Sequence, residues 1–258
     1  MTEFSSESLA AARFDDVDLS DARFEDVSFA RAWIRNADLR DVVIRGALVG
    51  MDLDGDIQSL RVNGVDVVPF VEAELDRRYP DRVLMRPEDA AGFRAAWEVL
   101  GPLWEGTVAR ARRLPPEMLH ERVDDEWSFI ETLRHLLFAT DAWVRRAVLG
   151  EPTPWDPLDL PHEEMPDLLS VPWDRAARPS LDTVLALRAD RMATVREVFA
   201  GLTDESLAGM TEPVTEPGYP APESYPVRRC LRALVNEEWE HRLIAERDLA
   251  VLESRTAL

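Results

Sequence analysis

A mainly helical α+β fold, a four-helix bundle preceded by a short repetitive coil, is predicted by three features of this sequence. Its first fifty residues read in fives. Four long stretches of helical period follow Pro87, and two Pro-rich segments, 151–179 and 211–226, separate them. A helical stripe must bury its apolar face, and four such stripes of similar length bury theirs best against one another. The 258 residues suffice for one large domain or two smaller ones, and a hydrophobic content of 46% with eight Trp marks a globular chain. The expected division is a coil over 1–56, a connector over 57–82 and the bundle over 83–258.

The repeats begin at Ala12: Ala-Arg-Phe-Asp-Asp, Val-Asp-Leu-Ser-Asp, Ala-Arg-Phe-Glu-Asp, Val-Ser-Phe-Ala-Arg, and onward to Met51. Phe14, Leu19, Phe24, Phe29, Ile34, Leu39, Ile44 and Val49 hold the central place, with Ala or Val two residues earlier each time. A period of five fits neither helix nor strand and reads as one large and one small inward residue per side of a coil. The pattern resembles pentapeptide-repeat proteins, and that resemblance implies a right-handed, four-sided β-helix. Eight repeats make about two turns of such a coil, a short stack because each coil is stabilised by its neighbours.

In the connector, Asn63-Gly64 lies between alternating apolar residues and predicts a hairpin. Pro69 opens a brief helix to Arg78. The first long helix is expected over 87–114, disturbed at Gly101-Pro102 and stopped by Pro115-Pro116. The second starts at Ser128 with Glu131 completing a capping box, and runs to Leu149 before Gly150. The third takes Ser180 as N-cap and ends near Gly201. The fourth covers 227–252. The two long Pro-rich connections are expected to serve as lids or walls of a site.

On the fourth helix, Cys230, Leu234, Glu237, His241, Ile244, Ala245, Asp248 and Leu252 share one face at 100° per residue. Glu237 and His241 therefore stand four apart in the middle of an apolar stripe, where both side chains can reach one ion. A buried carboxylate has to be neutralised, paired or bound to metal. The other helical histidine, His135, falls at the edge of its own stripe, which centres on Phe129, Leu133, Leu136, Trp143 and Ala147. A His–carboxylate–His set suits zinc with one position left open. From the residues alone a buried Glu–His hydrogen bond or a Glu–Arg pair serves equally.

Glu126-Trp127-Ser128 followed by His135-Leu136 on one helix resembles the second helix of DinB-like proteins. Glu237-x-x-x-His241 with the run Ala245 to Glu253 is similar to that family's last helix, in the form found in its mycothiol-dependent maleylpyruvate isomerase branch. The resemblance spans 87–253. It implies a metal-binding bundle with His135, Glu237 and His241 as ligands, zinc first and nickel second. It also implies activation of a low-molecular-weight thiol, with mycothiol as the natural choice, toward an electrophile, by transfer or thiol-assisted isomerisation. A homodimer is a common state of such bundles. Arg188, Arg191 and Arg247 are the cations that would bind an anionic part of the thiol cofactor, with a solvated helix face as their simpler role. Cys230 is read as core, Asp248 as an arginine partner or support of the site, His162 as part of a closing loop, His120 as incidental, and Trp97, Trp104, Trp143 and Trp239 as core.

The net charge of −20, with no lysine and thirty arginines, argues against nucleic acid or an anionic membrane as partner. The arginine-only usage fits a GC-rich bacterial coding bias. One cysteine excludes an internal disulfide and fits a cytoplasmic location. The first residues, Met1 to Glu7, lack a secretory pattern, and no apolar run of membrane-spanning length is present. The competing readings are a non-catalytic metal-binding or interaction module and, last, a DNA mimic. Residues 1–60 hold 13 acidic residues against 6 arginines, and about two coils imitate little of a duplex carrying one charge per ~1.7 Å.

Overall fold

The computed structural model describes residues 8–256 except 16, 36, 164, 166 and 167; the N-terminal segment read for a signal lies outside them. The chain divides into two compact units between Gly55 and Asp56.

The first unit carries the repeats. Turns recur every ten residues, closed by Ala12 N–H to Leu9 O, Ala22 N–H to Leu19 O and Ala32 N–H to Phe29 O at 2.9–3.0 Å. Ala11, Asp21, Arg31 and Asp41 adopt left-handed φ values of 55–62° at these corners. Among the described residues this unit has the recurring turns and bends of the repeat and no strand. The central column is not enclosed: Phe14, Phe24 and Phe29 are 56–58% exposed, although the last two meet edge to face at 5.3 Å. A stack of about two coils leaves each coil with a neighbour on one side at most, which accounts for that exposure.

The second unit opens on the hairpin β1 (Arg61–Val62) and β2 (Val65–Asp66), paired antiparallel around Asn63 and Gly64. Both turn residues have positive φ, 50° and 83°, as a tight two-residue hairpin turn demands. Helix α1 (Val68–Arg78) has Pro69 in its first turn. A 3₁₀ segment, Pro80–Met85, folds back on it, and Arg82 bridges Glu72 and Asp76.

Four long helices follow. Helix α2 (Ala90–Ala111) is capped by Asp89, whose side chain accepts from Gly92 N, and it runs through Pro102 without ending. Helix α3 (Phe129–Thr140) has both bonds of the predicted Ser128–Glu131 capping box. It continues as a π-helical stretch, Asp141–Val148, before Gly150 closes it at φ 74°. The π register breaks the 3.6-residue period: beyond Thr140 Ala147 is buried as expected, Trp143 is only partly buried, and Ala142 and Val144 are fully so. Helix α4 (Leu181–Gly201) is capped by Ser180, and the single turn α5 (Asp204–Leu207) follows. The last helix, α6 (Val227–Thr256), extends four residues past its predicted end.

Helix α3 packs on α4, α4 on α2, α2 on α6 and α6 on α3, closing a four-helix ring. Phe93, Leu100, Leu231, Leu234 and Val235 fill one end and Leu133, Leu136, Leu137, Ala245 and Leu249 the other. Full burial of each such large side chain contributes about 1.5–3 kcal/mol. Trp97, Trp104 and Trp239 are buried as expected, and so is Cys230, whose thiol burial pushes up to about 11. No described helix is long and apolar enough to cross a membrane.

Candidate metal centre

The buried stripe of α6 differs from the predicted one. Its buried residues are Cys230, Leu231, Leu234, Val235, Glu238, Trp239, Ala245, Asp248, Leu249 and Leu252, which include five of the eight predicted positions and add Glu238. Glu237 and His241 sit at the margin of this face, with side chains 31% and 20% exposed. The cause is tertiary. Arg188 on α4 offers a buried partner to Glu238, its Nη2 donating to Oε2 at 2.8 Å, and the pair takes the central position.

His135 shows the opposite shift. Expected at an edge, it is 5% exposed, because α3 is buried at every residue except Glu131. The 151–179 segment accounts for this cover. Arg134, fully buried, donates from its guanidinium to the carbonyls of Leu158, Asp174 and Ala177 at 2.5–3.2 Å and so straps the segment onto α3. Helix α3 thereby loses its solvent face.

Three ligand-bearing side chains converge where α3 and α6 meet. His135, Glu237 and His241 each offer a ligand atom, all within 4.8 Å of one another. Glu237 Oε2 lies 3.3 Å from His135 Nε2 and 3.0 Å from His241 Nε2, and the imidazole centroids are 4.9 Å apart. His135 Nδ1 is 2.9 Å from the carbonyl oxygen of Leu160. A carbonyl accepts only, so Nδ1 carries a proton; in the neutral ring the Nε2 lone pair then faces the carboxylate. Two lone-pair holders in contact require a cation between them, either a second imidazole proton or a metal ion. Burial pushes the Glu237 carboxyl up, but the hydrogen bonds and charges of His135 and His241 outweigh it and hold the group well below the usual carboxylate range.

Aromatic side chains enclose the cluster. The Trp127 ring lies 4.4 Å from His135 and stacks on His241 at 5.7 Å. Phe138, one turn along α3, is 6.1 Å from His135. Each long connection adds a ring to Phe138: His162 from the first at 6.5 Å and Tyr219 from the second at 5.7 Å, themselves 5.2 Å apart. Burial and the Glu237 carboxylate push the Tyr219 phenol up, so it stays a neutral donor beside the cluster. The second connection is clamped by buried Arg146, which donates to the carbonyls of Pro152, Val214 and Glu216 at 2.5–3.2 Å.

The three arginines expected to bind an anion are each paired with a carboxylate. Arg188 is committed to Glu238 and lies over the Trp104 ring at 5.1 Å. Arg191 donates to both oxygens of fully buried Asp141, at 3.2 and 2.8 Å. Both are buried, which corrects the solvated face expected for them, and binding an anion would require opening an internal pair. Arg247 is exposed and donates from Nε to Asp248 Oδ1 at 2.7 Å. The backbone carbonyl of His120 accepts from Arg178.

Sequence reasoning did not find the Leu160 carbonyl, which carries no side-chain signature. Trp127 was visible as part of a motif, but its place against both imidazoles depends on α3 meeting α6.

A four-helix bundle whose facing helices supply a His–Glu–His cluster defines a class of helical metal-binding fold. The DinB superfamily matches residues 102–245, more than half of the chain, and this protein belongs to it. Pentapeptide repeats, in eight copies, match residues 8–46. No curated protein and no solved structure matches the chain.

Proposed function

We propose that His135, Glu237 and His241 hold one divalent ion, zinc first and nickel second, and that the protein uses it for the chemistry of a low-molecular-weight thiol. The reaction class is transfer of the thiol to an electrophile or thiol-assisted isomerisation, with mycothiol as the candidate thiol. The observation that carries this reading is the Leu160 carbonyl on His135 Nδ1, which leaves Nε2 to a cation facing Glu237. Backbone acceptors on the far nitrogen are the usual way a ligand imidazole is oriented. A divalent ion with an open position supplies the Lewis acidity that keeps a thiol as its nucleophilic thiolate near neutral pH.

The chain's own groups divide the remaining work. Leu160 fixes the tautomer and angle of His135. Glu237 contributes the anionic oxygen, partly exposed so that solvent or ligand reaches the cluster from its side. Trp127 and Phe138 exclude water from the imidazoles. Tyr219 offers a phenol proton to an oxygen of the acceptor.

The test is metal content of untagged protein by mass spectrometry, with zinc titration of the parent, His135→Ala and Glu237→Gln. About one equivalent of zinc, with affinity reduced by a factor of at least ~10 in both variants, supports the reading. A parent that takes up no zinc overturns it. A thiol screen of the loaded protein then separates catalysis from binding. The second reading, a non-catalytic interaction module, is favoured by one feature: Glu237 Oε2 already bridges both imidazoles, a polar cluster that is complete with protons alone.

A further inference from the structure

Leu160, whose carbonyl orients His135, is preceded by a fully buried acid, Asp159. Oδ2 of Asp159 accepts from the Asp156 N–H at 3.1 Å, and the Asp159 N–H returns a bond to the Asp156 carbonyl at 3.0 Å. Oδ1 is buried and meets no hydrogen-bond donor among the described residues. Leu160 is held to α3 by both of its backbone groups. Its N–H donates to the Arg134 carbonyl at 3.3 Å, and its own carbonyl lies 2.9 Å from His135 Nδ1. One tight turn therefore joins an unmatched carboxyl to the group that fixes a triad imidazole.

The charged groups around Asp159 do not supply the missing donor. From α4, Arg191 directs Nε and Nη2 to Asp141 and Nη1 to Asp190. From α3, Arg134 directs all three nitrogens to the carbonyls of Leu158, Ala177 and Asp174. The π-helical stretch contributes Asp141, a like charge that also takes Arg145, and the connection itself contributes Asp156. An ionised Asp159 would be a buried anion with a single N–H on one oxygen, which is costly; a proton on Oδ1 removes the charge. Burial first, and then the Asp141 carboxylate, push this carboxyl well above the usual range.

We propose that Asp159 is a positioning residue for the triad, acting through Leu160: uncharged, it keeps the turn seated on α3, and as an anion it lifts Leu160 from His135. The contact is then complete below the folded-state pKa of Asp159 and is lost as pH rises through it. Without the carbonyl, either nitrogen of His135 can carry the proton, and the lone pair no longer has a fixed direction. The consequence for a bound metal rests on the proposed function; the Leu160 contact does not.

The test follows the Nδ1–H resonance of His135 in ¹⁵N-labelled, chelator-treated full-length protein from about pH 5 to about pH 9. Its absence from His135→Gln assigns it. In the parent the resonance is expected to hold a hydrogen-bonded, downfield position at the acid end and to be lost as pH rises. Asp159→Asn, neutral throughout and still able to accept from Asp156, is expected to keep it over the whole range. Equal loss in Asp159→Asn, or a resonance that persists in the parent to the alkaline end, overturns the proposal. If Asp159→Asn does not fold, exchange of the Leu160 amide in the parent decides. Its protection, corrected for intrinsic exchange, is expected to fall by a factor of at least ~10 over the same range while that of Phe138 holds; constant protection overturns the proposal. Zinc titration at the alkaline end is expected to show affinity lower by a factor of at least ~10 in the parent than in Asp159→Asn. A parent that binds no zinc at any pH counts against the metal reading alone, while the His135 resonance decides the positioning.

Discussion

Two buried carboxylates in this bundle illustrate how the environment of a single residue sets its energetics. Glu238 and Arg188 form an ion pair with side chains 1% and 4% exposed. Such a pair adds little net stability, because desolvation offsets the attraction, yet removing one partner strands the other. Arg188→Ala is expected to destabilise the protein by about 3–5 kcal/mol, measured by urea unfolding, and Arg188→Ala/Glu238→Leu by less than the single change. Asp159 has no such partner on Oδ1. Burial, and then the Asp141 carboxylate, push it well above the usual range, while the Asp156 N–H and Arg191 oppose them. The folded state therefore holds a proton that the unfolded chain releases near the ordinary carboxylate pKa. Stability from this group is full below that value and is lost as pH rises through the folded one. Asp159→Asn is expected to flatten the decline in unfolding free energy from pH 4 toward neutrality, and an unchanged slope would exclude Asp159 as its source.

At the level of elements, the helices follow local chemistry and the connections follow buried arginines. Ser128 with Glu131, and Ser180, cap where their side chains can accept, which is why those two helix starts were legible; Asp89 caps α2 in the same way but was not read as its cap. Among their described residues the two long connections contain almost no regular structure, yet buried guanidinium groups hold them: Arg134 donates to carbonyls of the first, and Arg146 to Pro152 of the first and to Val214 and Glu216 of the second. Those carbonyls would otherwise be buried acceptors without donors. Gly218 lies against this clamp: a Cβ there would stand 2.8 Å from Arg146 Cζ. A free arginine end would swing aside, but this one is 1% exposed and pinned by three carbonyls. Gly218→Ala is expected to cost about 1–3 kcal/mol and to raise hydrogen exchange selectively in 211–226. A variant with parental stability and exchange would mean that the clamp yields freely.

For the whole molecule, the division at Gly55 carries a direct expectation. All of the buried core lies after residue 84, and none of the described repeat residues is buried. A fragment spanning 56–258 is therefore expected to fold with the same helical circular dichroism and to unfold at a denaturant midpoint close to that of the full chain. A fragment that aggregates or loses helix would show that the repeats complete the bundle. The isolated repeats, with their central aromatic column more than half exposed, are expected to unfold at much lower denaturant.

The sequence by itself determined the repeat segment, the hairpin, the capped helix starts, the four-helix content and the identity of the three cluster residues. The first four rest on local chemistry or on periodicity within one segment, and the three cluster residues on the resemblance of two short motifs to a known family. Only the tertiary structure decided that Glu238 is a buried position of α6, because Arg188 on another helix pairs with it, and that Glu237 and His241 lie at the margin of the buried face. It also decided that His135 is enclosed, since the strap formed by Arg134 across 24 to 43 residues of chain is invisible to periodicity. The π register after Thr140 moved the stripe of α3 in the same way. The lone pair of His135 points at Glu237 because a backbone carbonyl, which every residue possesses, happens to lie at Leu160.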